Sequence, residues 1–145
     1  MNPEDFLETA ALLLLNNRES DYRSAVSRSY YAAYHMLRLS LLQIIPLTLL
    51  QNSGIGSKYQ ISHDKLPVAL KNLSDPAIAK MGEHLLRLKL ERTRADYRLE
   101  SPISKACAVA EYSVALNLRD ELKAFGVKNL ALILKNELEK TYGAT

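Results

Sequence analysis

The chain holds a single cysteine, Cys107, so it forms no internal disulfide, and that usage fits a reducing cytoplasm. It has no tryptophan, and only five glycines and five prolines in 145 residues. So few turn formers leave room for few, long elements. Long hydrophobic runs are missing too. The most apolar stretch, Leu39 to Leu50, is broken by Gln43 and Pro46. It falls well short of the roughly 20 residues that cross a bilayer, so no membrane span is expected. No cationic start leads into an apolar core and cleavage site, so no signal peptide is read. GxxxxGK[ST], GxGxxG and GxSxG are all absent, which removes the phosphate loop, the dinucleotide fingerprint and the hydrolase elbow. Three scattered histidines and one cysteine do not have metal-ligand spacing. Neither a metal nor a cofactor is expected.

What is present is helical. Asn2-Pro3-Glu4-Asp5 reads as a capped helix start with acids at the positive end of the dipole. The first helix runs to about Asn16, with Phe6, Ala10, Leu13 and Leu14 on its core stripe. Ser20 or Asp21 caps a second helix that stops at Pro46. Residues 51–60 read as a loop. Ser62 opens a short helix through Leu70. Ser74-Asp75-Pro76 opens a long one to about Arg98. Ser101-Pro102 repeats the device for a helix that ends before Gly126, and a last helix covers about 128–142. No strand pattern or internal repeat is present. The expected fold is all-α, an up-and-down bundle of four to five helices with an added C-terminal helix, in one domain over 1–145 with its core at about 4–125.

The second helix carries Ser27-Arg28-Ser29-Tyr30-Tyr31-Ala32-Ala33-Tyr34-His35. Seven residues turn through about 700°, which sets Arg28 and His35 within roughly 20° of one face and about 10 Å apart. Ala32 lies between them, so a small gap is expected there. A fixed cation and a titratable imidazole beside a gap suit a phosphodiester. Val26, Tyr30, Ala33, Tyr34, Leu37 and Leu41 fall on the opposite, core side. On the long helix, Arg87, Arg94 and Arg98 stack within about 20° of one face and form a candidate RNA-binding stripe. The alternative there is a solvated face with internal pairs such as Glu91–Arg94. Tyr97 is expected to be a buried anchor beside Asp96. His63, at a helix start, is expected to stay neutral because the local dipole lowers its pKa. The net charge of +3 and pI near 9.0 permit nucleic-acid binding without requiring it.

Together, Arg28 to His35 with the flanking Ser27, then Ser62-His63, then Arg94-Ala95-Asp96-Tyr97, resemble the HEPN superfamily and within it the small stand-alone prokaryotic members. The likeness covers about 4–125. It implies a helical homodimer and a metal-independent endoribonuclease, the toxin of a pair with a nucleotidyltransferase-type antitoxin. Two Arg-x4–6-His motifs would meet across the dimer to form one RNA site. Arg28 and His35 are then the catalytic candidates, Ser29, Tyr31 and His63 the supporting ones, and Asp96 and Tyr97 a structural motif. Active members often carry Asn, Asp or His where this chain has Ser29. Leu37 stands where some toxins carry a tyrosine that is adenylylated. Two other readings are a module that binds RNA, a nucleotide or a partner without catalysis, and a helical interaction surface.

Overall fold

The computed structural model describes residues 1–143 and is all-helical, with no strand among the described residues. Seven helices follow in order: α1 (Asp5–Leu13), α2 (Glu19–Ile44), α3 (Leu47–Ser53), α4 (Lys65–Lys71), α5 (Pro76–Tyr97), α6 (Lys105–Phe125) and α7 (Val127–Tyr142). No single helix among the described residues is long and apolar enough to cross a membrane.

The core is built around α2, which packs against α1, α5, α6 and α7. Val26, Tyr30, Ala33, Tyr34, Leu37 and Leu41 are all buried, as the helical spacing predicts. Leu130, Ala131, Leu134 and Leu138 of α7 join the same apolar cluster, so the last helix is part of the core. Gly82 of α5 lets α4 come close. A Cβ there would meet the backbone N of Lys71 at 2.5 Å and the backbone O of Pro67 at 2.8 Å.

Several boundaries differ from expectation. α3 occupies residues read in part as loop. Leu49 and Leu50 enter the core and carry the polar turn after them into helix, and Gly54 ends it at φ 73°. Pro46 stops α2 as expected, but the chain resumes as helix after a 119° bend. α2 begins at Glu19, before Ser20 and Asp21. α6 is capped by Ser104, whose Oγ accepts from Cys107 N–H at 3.1 Å, and not by Ser101. Asp75 caps α5 as expected, accepting from Ala77 and Ile78 N–H.

The 54–64 loop folds back on itself through a Gly56–Ile61 bridge. It is anchored by buried Ile55 and Ile61 and by Tyr34 Oη, which donates to the Ile61 carbonyl at 2.7 Å. Arg38 Nε and Nη2 donate to the Tyr59 carbonyl at 3.1 and 2.7 Å. These bonds deliver His63 to the side of α2.

Candidate functional site

Arg28, Tyr31 and His35 lie at intermediate exposure on α2. The gap expected between Arg28 and His35 is not open. Phe6 of α1 fills it: its ring stacks on His35 at 5.5 Å and 16°, and the Arg28 guanidinium carbon lies 5.2 Å from the same ring centroid. Ala32 beneath is completely buried. Wheel geometry places two residues on one face of a helix, but the small side chain between them is what allows α1 to dock there.

Phe6 therefore separates two clefts. One of about 510 Å³ lies between α1, α2 and α5 and is lined by Ser27, Arg28, Tyr31, Arg92 and Asp96. The other, of about 240 Å³, is lined by Met1, Phe6, His35, Arg38 and Leu39. Arg28 and His35 thus open into different clefts.

Arg28 makes no hydrogen bond or ion pair with the described residues. It rests on the rings of Phe6 and Tyr31, 5.3 Å from the second centroid. His35 is held below the ordinary imidazole pKa, chiefly by burial and then by the cations Arg38 and Arg28 and by His63. It is a neutral base at neutral pH.

His63 is also held low. The cause is mainly burial, then the charge of Arg92, partly opposed by Asp64. The expected direction is right, but the helix dipole is not the leading cause. Its ring stacks on Tyr34 at 4.1 Å, and the Tyr30 hydroxyl bonds its Nδ1. Burial raises the Tyr30 phenol well above its ordinary value, so it stays protonated. Ser29 is fully buried and its Oγ donates to the Ala25 carbonyl at 2.8 Å. Its hydroxyl is spent on its own helix.

Of the three arginines read as a stripe, Arg98 lies just beyond α5, and Arg87 and Arg94 are paired with carboxylates. Arg87 donates twice to Glu111 Oε1, at 2.8 and 3.0 Å. Arg94 pairs with Glu91 at 2.9 Å and reaches Ser101 and Cys107. Arg87 and Arg98 are exposed and Arg94 is half-buried. None of the three lines the Arg28 cleft; Arg92 does. Its Nη2 donates to Tyr31 Oη at 2.7 Å, and its Nε lies 3.0 Å from Asp96 Oδ2. Asp96 also accepts from Ser27 Oγ at 3.3 Å and so ties α5 to α2. Tyr97 is 70 % exposed, not a buried anchor. α5 ends at this residue, where no neighbouring helix covers the ring. Asp96, not Tyr97, makes the hydrogen bond to α2.

No group of three His, Cys, Asp or Glu side chains among the described residues is placed to hold a metal ion. Comparison with family models, characterised proteins and solved structures found no match.

Proposed function

We propose that this chain is a metal-independent endoribonuclease of the HEPN type, a bundle that works in the cytoplasm as a homodimer. The observation that carries the reading is Arg28. Its guanidinium stands at a cleft of about 510 Å³ with no acceptor among the described residues, on the same helix as the neutral imidazole of His35. A guanidinium without an anion partner, seated on aromatic rings, suits a phosphodiester.

In this reading the ribose 2′-hydroxyl attacks the adjacent phosphorus. His35 takes the 2′ proton, and Arg28 neutralises charge gathering on the non-bridging oxygens. The bond from phosphorus to the 5′-oxygen breaks and the departing oxygen takes up a proton. The products are a 2′,3′-cyclic phosphate and a 5′-hydroxyl. A second copy has a surface to cover, because Met1 and Leu39 are exposed on the rim of the His35 cleft. A toxin role, with a nucleotidyltransferase-type antitoxin as partner, belongs to the same proposal.

Purified protein should cleave RNA in EDTA, and Arg28→Ala and His35→Ala should each lower the rate at least about 100-fold. Cleavage that survives in both variants would remove these residues from the mechanism. One observation favours a second reading, non-catalytic binding of RNA or a nucleotide: Phe6 stands between Arg28 and His35. Arg28-dependent RNA binding with no cleavage product would select it.

A further inference from the structure

Tyr31 is the residue on which the site converges. It stands one turn after Arg28 and one turn before His35. Its ring stacks on His35 at 5.9 Å and 24° and meets His63 edge-on at 6.2 Å. The Arg28 and Arg92 guanidinium carbons lie 5.3 and 5.2 Å from its centroid.

The three tyrosines of this stretch of α2 differ in where their hydroxyls go. Tyr30 Oη is bonded to His63 Nδ1, and Tyr34 Oη donates to the Ile61 carbonyl. Tyr31 Oη instead accepts, from Arg92 Nη2 at 2.7 Å, in the lining of the Arg28 cleft. A phenol both accepts and donates. The Tyr31 hydroxyl has no acceptor among the described residues, and Tyr31 lines the cleft that Arg28 shares. Arg92 is fixed in turn by Asp96, 3.0 Å from its Nε, and Ser27 holds Asp96. The chain Ser27–Asp96–Arg92 therefore orients one hydroxyl.

We infer that Tyr31 is the general acid of the site and Arg92 the residue that positions it. The inference rests on the ribonuclease reading above. His35 accepts the 2′ proton, the 2′-oxygen bonds to phosphorus, and the bond to the 5′-oxygen breaks. Tyr31 gives its proton to that oxygen, leaving a phenolate beside Arg92. Exchange with water then returns a proton to Tyr31 and removes one from His35. Tyr31 lines the Arg28 cleft and His35 the cleft beyond Phe6, so the Phe6 ring must move aside for both to reach one phosphodiester.

The test compares two RNA dinucleotides in single-turnover cleavage, one natural and one with sulfur in place of the bridging 5′-oxygen. A thiolate leaves without being protonated. Tyr31→Phe keeps the ring stack. It should lose about 100-fold or more on the natural linkage and come within about tenfold of the wild-type rate on the sulfur linkage. Arg92→Gln should show a smaller loss that sulfur likewise relieves, and His35→Ala should be slow on both. Natural cleavage by Tyr31→Phe at the wild-type rate, or equal losses on the two substrates, overturns the inference and leaves the ribonuclease reading standing. A wild-type protein that cleaves neither substrate overturns both.

Discussion

Arg23 is the residue whose loss the structure prices most clearly. Its side chain is only 12 % exposed and closes the C-terminal end of α5. Nη1 donates to the carbonyls of Ala95 at 2.9 Å and Arg98 at 3.2 Å, and Nη2 donates to that of Ser101. These carbonyls belong to the last turn of a helix and the loop after it, where backbone acceptors lack helical donors and the dipole favours a cation. Hydrogen bonds to charged groups are worth about 1.5–3 kcal/mol each. Water can reach part of this rim and replace some of that, so about 1 kcal/mol per carbonyl is expected. Arg23→Met keeps the stem and removes the donors, and should cost about 3 kcal/mol. At roughly 2–4 °C per kcal/mol for a chain of this size, the melting temperature should fall by about 10 °C. Urea unfolding followed by circular dichroism measures the first figure and a thermal scan the second. Amide exchange should quicken at residues 94–101 in particular. A loss below about 0.5 kcal/mol, or exchange that quickens evenly along the chain, would refute the clamp.

Three further outcomes follow from the same contacts. Arg87→Ala strands the Glu111 carboxylate, 4 % exposed with Oε2 already unpartnered, and should cost about 2 kcal/mol in urea unfolding. RNA affinity should be unchanged, because Arg87 does not line the cleft. His35 and His63 titrate below the ordinary value of 6.5 when folded, so the unfolded chain binds more protons just below that pH. Stability should therefore fall as the pH drops through 6.5 towards the folded values, and a His35→Gln/His63→Gln variant should flatten that slope in thermal scans. Phe6→Ala uncovers His35, so its NMR titration should move up towards 6.5; an unmoved titration would mean that the ring does not bury the imidazole.

The helices were legible because their causes are local. Asp75 with Pro76, Pro46 and the spacing of Tyr30, Ala33, Tyr34, Leu37 and Leu41 all act within one turn or two. α3 was not, because Gln51–Ser53 is polar and what keeps it helical is the burial of Leu49 and Leu50. The site was legible only as far as a single helix reaches. Helical spacing puts Arg28 and His35 on one face, but Phe6 comes from α1 and Arg92 from 61 residues beyond Tyr31. One signal for Arg92 was present: it stands four residues before Asp96, within ion-pair reach on a helix. Among five cations in twelve residues, helical spacing alone favoured Arg87, Arg94 and Arg98. Glu111 and Glu91 answer the first two of these.

The most direct measurement is the chemistry of the ends left by RNA cleavage in EDTA. A radiolabelled oligoribonucleotide should yield a 2′,3′-cyclic phosphate and a 5′-hydroxyl, and both should vanish with His35→Ala. Intact RNA at high enzyme concentration, or ends carrying a 5′-phosphate, would contradict the account of Arg28 and His35 as ribonuclease machinery.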